Sequence, residues 1–444
     1  MQQEKSRFSA DLVIEAAWIV PVEPTNVVLE DYAVAIAGEK ILSLLPREEM
    51  KTRCTASQVC RLHSHVLIPG LINLHTHAAM TLMRGMADDV KLMDWLADHI
   101  WPVERKHVSA QFVQDGTLLA CAEMLRGGIT CFNDMYFFPE MAARAALESR
   151  MRAALGIVVI EFPTSYASDA KDYLQKGLAM RDELRHEPLL SFTMAPHAPY
   201  TVSDRSFEEI LTLSEQLQIP INTHLHETQE EIRDSLAKCG MRPIARLAQL
   251  GVLGANFIAV HAVHLEADEI ALLGEMGCSV AHCPSSNLKL ASGVAPVGAM
   301  LRAGINVGIG TDGAASNNRL DIFCEMRSAA LLAKAQSDNA ESVPAHTALR
   351  MSTLNAAKAL GLEQTIGSIE PGKFADLCAV DLDYLEMAPC YHPASHLVYA
   401  AGREHVSDVW VAGRHLVAGR HLVELDEQAL KRKAADWKAR IIST

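Results

Sequence analysis

Eight short apolar runs recur between residues 71 and 313: LINLHTH (71–77), ITCFNDM (129–135), ALGIVVIEF (154–162), LLSFTMAPHA (189–198), INTHLHE (221–227), FIAVHAVHL (257–265), CSVAHCP (278–284) and INVGIGTDG (305–313). Segments with helical spacing of apolar residues lie between them, such as SFEEILTLSEQLQ (206–218) and ADEIALLGEMG (267–277). Continuous apolar runs of this length suit strands buried on both faces, and alternation with helices makes the sheet parallel. Eight such units predict a (β/α)8 TIM-like barrel, the α/β architecture that keeps a chain of 444 residues in a large closed unit. An open, doubly wound sheet alternates in the same way. However, nearly every run here ends in His, Asp or Glu, and only a barrel brings such ends together on one face.

The flanks have a different texture. ADLVIEAAWIVP (10–21), YAVAIAGEKILSLLP (32–46) and RLHSHVLIPG (61–70) read as strands, and so do DLCAVDL (376–382) and VSDVWVAGRHLVAGR (406–420). The pattern predicts a small β-sandwich domain built from both termini, residues 1–68 and 370–444, around a barrel of residues 69–369. A helix over 426–441 closes the chain.

Composition removes several function classes. The formal charge is -14, and the longest basic cluster is Lys431–Lys433, so nothing matches a polyphosphate backbone and no nucleic-acid partner is expected. Ten cysteines without a CxxC pair read as reduced, mostly buried thiols. With no apolar signal core in MQQEKSRFSADL and no membrane-length apolar stretch, a cytoplasmic protein without a membrane partner is expected.

The chemistry-bearing residues sit at the run ends. In LHTH, His75 and His77 stand two apart on a strand and share one face, which suits two nitrogen ligands of one divalent ion. Paired histidines are more often ordinary core or surface residues, but here a Pro69-Gly70 turn leads straight into a buried-type run. In HLHE, His224 or His226 can add a third nitrogen, and Glu227 stands where strand gives way to helix. The bland account of Glu227 is one member of a helix-capping acidic cluster with Glu230 and Glu231. VHAVH offers His261 or His264, either of which alone is better read as a core histidine. In GIGTDG, Asp312 ends the eighth run between glycines, where an isolated TDG is usually a turn. MTLMRGM (80–86) reads as packing rather than a soft-metal site, and Gly127-Gly128 as a helix C-cap rather than a phosphate loop.

Taken together, HxH on the first run, His on the fifth and sixth and Asp on the eighth resemble the amidohydrolase superfamily over essentially the whole chain. Two-metal members place a carboxylated lysine after the fourth strand, where SFTMAPHAPY (191–200) has none. The resemblance therefore implies one divalent metal per subunit, zinc first, on His75, His77, His224 and Asp312, with Glu227, His261 and Asp312 catalytic. HTHAAMTLMRGMADD (75–89), MDWL (93–96), WPVE (101–104), APHAPY (195–200), NLKL (287–290) and GTDGAASNN (310–318) are similar to the 5-methylthioadenosine/S-adenosylhomocysteine deaminases. That narrower resemblance implies hydrolytic deamination of 5′-methylthioadenosine to 5′-methylthioinosine and ammonia, with S-adenosylhomocysteine and adenosine as further substrates. It places Glu104 at the ribose hydroxyls and His197 near the base, with Trp95 walling the nucleoside and Glu227 and Asp312 also touching substrate. It further implies a homo-oligomer. Members that accept S-adenosylhomocysteine are expected to hold its amino-acid end with arginines after the third strand. GIVVIEFPTSYASDAKDYLQKG (156–177) has only Lys171 and Lys176, so the apolar methylthio tail is expected to be preferred. The alternatives are another amidohydrolase activity, guanine deamination or triazine dechlorination, and a non-catalytic barrel scaffold.

Overall fold

The computed structural model describes residues 7–443. Residues 1–6 and 444, the extreme ends of the expected terminal unit, lie outside the described residues.

Eight parallel strands form one sheet: β1 (Leu71–Thr76), β2 (Ile129–Asp134), β3 (Arg152–Val159), β4 (Leu190–Pro196), β5 (Ile221–Leu225), β6 (Phe257–His261), β7 (Ser279–His282) and β8 (Asn306–Ile309). Every residue of β1, β2 and β3 is buried, as strands covered on both faces must be. Several following helices start on a side chain that accepts the free amide of the first turn: Ser109 from Phe112, Asp169 from Asp172, Ser203 from Ser206, Thr228 from Glu231 and Asp321 from Cys324. Gly127 does end the helix Ala110–Arg126 as a C-cap. The first and eighth strands close on each other just beyond their ladders. Thr311 N–H donates to Asn73 Oδ1 at 2.9 Å, Asn73 Nδ2 donates to Thr311 Oγ1 at 2.7 Å, and Asp312 N–H donates to the His75 carbonyl at 3.0 Å.

The barrel strands end earlier than the apolar runs suggest. The run 257–265 leaves the ladder at His261, and 305–313 at Ile309. At His226, His261, Ala262 and Asp312 the backbone adopts positive φ (53°, 70°, 47° and 61°), a conformation that costs a side-chain-bearing residue energy and turns the chain out of the sheet. The polar residues at these run ends are therefore presented by bends rather than by strand alternation.

A second, nine-stranded mixed sheet combines both ends of the chain. Phe8–Ile19 pairs in parallel with Cys54–Pro69, which pairs antiparallel with Leu377–Asp381, and that in turn with Val406–Val411. The stretch expected as one run over 32–46 is a hairpin, Tyr32–Ala37 and Lys40–Pro46, turning at Gly38 with φ 57°. The closing helix spans Glu427–Ile442. Two short strands, Leu29–Glu30 and His421–Leu422, and a helix, Arg47–Arg53, add to the elements expected from the sequence. Among the described residues no helix is long and apolar enough to cross a membrane.

The long strand Cys54–Pro69 runs into β1 through Gly70, where a β-carbon would sit 2.1 Å from Thr130 Oγ1, so only glycine fits. The same junction is held by a buried ion pair. Arg152 Nε and Nη2 donate to Asp376 at 2.9 and 3.3 Å, and the Ala412 amide donates to the same carboxylate at 2.8 Å. Removing one partner of such a pair strands a charge away from water. Asp376→Ala is therefore expected to cost about 3–5 kcal/mol, whereas Arg152→Met with Asp376→Leu should cost much less, as read by chemical denaturation.

Candidate active site

The C-terminal ends of the barrel strands bring four imidazoles and a carboxylate together. His75, near the end of β1, and His77, just past it, have ring centroids 4.9 Å apart. His75 Nε2 lies 3.2 Å from His224 Nε2 and 3.6 Å from Asp312 Oδ1, and His77 Nε2 lies 3.2 Å from the same oxygen. Within each of two overlapping groups, His75–His77–Asp312 and His75–His224–His261, one donor atom per residue lies within 4.8 Å of the others. In two of these histidines the opposite ring nitrogen is committed outward: His77 Nδ1 to the Met135 carbonyl at 2.5 Å, His224 Nδ1 to the His197 carbonyl at 2.8 Å. That commitment makes Nδ1 the N–H and turns the Nε2 lone pair inward, as metal-ligating histidines require. Nitrogen and oxygen donors in this number suit a borderline divalent ion such as zinc.

Asp312 is oriented by residues that sequence reasoning passed over. Ser286, on the short helix Pro284–Lys289 that follows β7, and Ser316, on the loop after β8, each donate to Oδ2 at 2.6 Å, and the Gly313 amide donates to Oδ1 at 2.8 Å. Oδ1 is thereby left facing the histidines. Burial disfavours the charge, but the neighbouring His75 and His77 outweigh it and hold this carboxyl well below the usual range. Glu227 stands in the opposite regime. Burial pushes its carboxyl up, against the pull of His261, whose Nε2 lies 3.8 Å from Oε2. Two carboxylates with environments this different divide naturally into an anion and a proton carrier.

The pairs left open by sequence now separate. His226 accepts the Ile244 amide at 3.2 Å and reaches the His264 carbonyl at 3.2 Å; His264 bonds Gln229 and the Ser292 carbonyl at 2.9 and 2.6 Å. Both are tied into the framework, whereas His224 and His261 line the cavity. His261 is oriented by Asn287 Oδ1, 2.8 Å from its Nδ1. Glu231 takes the capping role weighed for the acidic cluster: its carboxylate accepts the amides of His226 and Glu227 at 3.2 and 2.9 Å, fixing the turn that presents Glu227.

Above this group opens a cavity of about 400 Å³. His77, His224, Glu227, His261 and Asp312 form its floor. The wall includes Trp95, Ile100, Trp101, Phe137, Ile160 and Phe162, with Glu104, Arg105, His197 and Tyr200 as polar points. Trp95 and Glu104 reach it from an insert between β1 and β2, where a wide helical turn, Trp95–Ile100, runs into the helix Trp101–His107. Met80 of the Met-rich segment lines the wall. Burial brings the His197 ring down to about 3, so it is neutral, with Nδ1 2.9 Å from Thr201 Oγ1. Burial pushes the Glu104 carboxyl up to about 7, against a hydrogen bond from Tyr136. Tyr136, Arg105 and Ser286 lie outside every quoted motif, while Asn287 and Ser316 fall inside NLKL and GTDGAASNN without a role that their sequence assigns. Ser286 and Asn287 sit on the short helix Pro284–Lys289 just after β7, and that place at a strand end is the one signal pointing to them.

Residues 66–416 match the sequence model of the amidohydrolase family. The chain is 47% identical to a 5-methylthioadenosine/S-adenosylhomocysteine deaminase of Saccharophagus degradans, over 98% of both chains. It is 45% identical to the protein of that name in Teredinibacter turnerae, over 97% of this chain and 98% of the other. The fold superposes on a crystal structure of an adenosine deaminase from Xanthomonas campestris with bound zinc at a TM-score of 0.97, with 49% identity over 99% of this chain and 100% of that one. Atrazine chlorohydrolase from Arthrobacter aurescens, at 24% identity and a TM-score of 0.88 over 96% of this chain and 100% of its own, shares the fold.

The donor geometry makes separable demands on metal retention. His75→Ala should leave purified protein with far less than one zinc per chain by elemental analysis. Ser286→Ala with Ser316→Ala should keep the ligands but weaken zinc affinity about 10–100-fold in chelator competition, because the groups that aim Asp312 are gone.

Proposed function

The chain belongs to the amidohydrolase family, and we propose that it deaminates 5′-methylthioadenosine to 5′-methylthioinosine and ammonia, with S-adenosylhomocysteine and adenosine as further substrates. The observation that carries this reading is the buried Glu227 carboxyl, raised by burial, beside a His/Asp donor cluster on the floor of a cavity of nucleoside size. The deaminase names of full-length relatives support it.

His75, His77, His224 and Asp312 would hold one divalent ion, zinc first; among the described residues no lysine lines the cavity to support a second. Such an ion supplies Lewis acidity that makes water a nucleophile near neutral pH. Glu227 donates a proton to purine N1, which renders C6 electrophilic. Water adds at C6 while Asp312 accepts its proton. His261, steadied by Asn287, orients the attacking oxygen. Proton return to the exocyclic nitrogen expels ammonia and leaves the 6-oxo purine. His197 would meet the base, Trp95 would wall the nucleoside, and Glu104 would accept the ribose hydroxyls. The scaffold alternative predicts dispersed donors, and here they converge.

The tail preference follows from the wall. Lys176 is committed to the Tyr166 carbonyl at 2.6 Å and Asp172 at 2.9 Å, and Lys171 does not line the cavity. Among the described residues Arg105 is the one lysine or arginine on the wall, which also includes the apolar Phe137, Ile160 and Phe162. This reading also has the chain working in the cytoplasm as a homo-oligomer, for which the exposed Leu385 and Tyr391 offer apolar surface.

Zinc-loaded protein assayed with adenosine, 5′-methylthioadenosine, S-adenosylhomocysteine and guanine should release ammonia fastest, by kcat/KM, from 5′-methylthioadenosine. Equal or higher values for S-adenosylhomocysteine overturn the tail argument, and guanine alone as substrate overturns the nucleoside reading. Glu227→Gln should retain zinc yet lose roughly 10²–10⁴-fold in rate, because an amide cannot deliver a proton.

A further inference from the structure

We propose that Tyr136 is a positioning residue that fixes Glu104 as an acceptor for a vicinal diol, and thereby makes the site select ribonucleosides over deoxy sugars. The inference rests on the nucleoside reading and on Glu104 meeting the ribose. Tyr136 is buried, and its hydroxyl donates to Glu104 Oε1 at 2.7 Å. The two residues come from different parts of the fold: Glu104 from the insert helix Trp101–His107, Tyr136 from the loop that leaves β2.

That loop is registered directly against the donor cluster. The Met135 amide donates to the Thr76 carbonyl at 3.0 Å, and the Met135 carbonyl takes His77 Nδ1 at 2.5 Å. Phe137 and His77 hold the Tyr136 ring, with centroids 5.2 and 6.3 Å away. The phenol is therefore placed with respect to the reacting end of the cavity, and it pins the carboxylate that would meet the other end of the substrate. Since the phenol is the donor, Glu104 must accept, and this favours its ionised form against the burial that pushes it up to about 7. A carboxylate held this way has lone pairs left for two hydroxyl donors. A sugar without hydroxyls leaves those remaining lone pairs covered and unpaired, and a site that loses such partners rejects the analogue strongly.

The test compares kcat/KM for adenosine and 2′,3′-dideoxyadenosine in zinc-loaded wild type, Tyr136→Phe, Glu104→Asp, Glu104→Gln and the Tyr136→Phe/Glu104→Gln double variant. The wild type should favour adenosine. Tyr136→Phe should cut the adenosine/dideoxyadenosine ratio about tenfold, mainly through the KM for adenosine, the effect of one charge-assisted hydrogen bond. Glu104→Asp, which keeps the charge but withdraws it from the phenol, should shift the ratio in the same direction. In the Glu104→Gln background, adding Tyr136→Phe should move the ratio by no more than about twofold, because the two residues act as one unit. A wild-type ratio in Tyr136→Phe, or equal losses on both substrates, overturns the proposal. A wild type inactive on every nucleoside removes the reaction itself, and an active wild type with a ratio near one removes the ribose role of Glu104; either sinks the proposal for a different, visible reason.

Discussion

Closure of the barrel between its first and eighth strands is the constraint on which the site depends. The Asp312 amide donates to the His75 carbonyl at 3.0 Å, and Thr76 Oγ1 donates to the Asp312 carbonyl at 2.9 Å. These bonds join residues 237 and 236 apart in sequence and leave the Asp312 side chain no place but against His75 and His77. Gly310 permits the approach, since a β-carbon there would lie 2.8 Å from the His75 amide nitrogen. Because these bonds tie the end of the first strand to that of the eighth, the relative positions of the strand ends are set by register rather than by flexible loops.

Beneath the histidines the barrel interior is polar, and its hydrogen bonds continue around the wall. Asn73 bonds Thr311, Asn133 Nδ2 donates to the Leu74 carbonyl at 3.0 Å, and Asn222 Nδ2 donates to Thr193 Oγ1 at 2.8 Å. Asn73 and Asn222 each lie two residues before a site histidine on the same strand, so they share its inward face. Buried amides are costly unless bonded, and once bonded they resist displacement. This layer therefore fixes the strands that carry His75 and His224, much as Ser286, Ser316 and Asn287 fix Asp312 and His261 from above. The donor cluster sits between two shells of directional bonds.

Electrostatics then sorts chemically similar groups into different roles. Asp312 and Glu227 are both buried carboxylates, but Asp312 takes two hydroxyl hydrogen bonds and faces two imidazoles while Glu227 has one histidine at 3.8 Å. The first is kept anionic; the second is ready to hold a proton. His197 and His224, deep in the same cavity, are driven neutral by burial and by their neighbours' charge. Composition could not have separated these residues, because each difference arises from partners contributed by other strands.

The apolar runs ending in His, Asp or Glu determined the parallel barrel, because burial on both faces demands such runs and their number matches eight strands. HxH on one strand determined that His75 and His77 act together, since a strand repeats every two residues. Local patterns could not choose His224 over His226 or His261 over His264. That choice depends on the positive-φ bends at His226 and His261, which strand periodicity does not announce. Nor could they find Tyr136, Ser286, Ser316 or Asn287, whose importance is entirely in what they touch. Secondary structure is written in near-neighbour spacing and so is legible in the chain. The orientation of a catalytic side chain is written in hydrogen bonds between residues hundreds of positions apart, and only the closed fold brings those into contact.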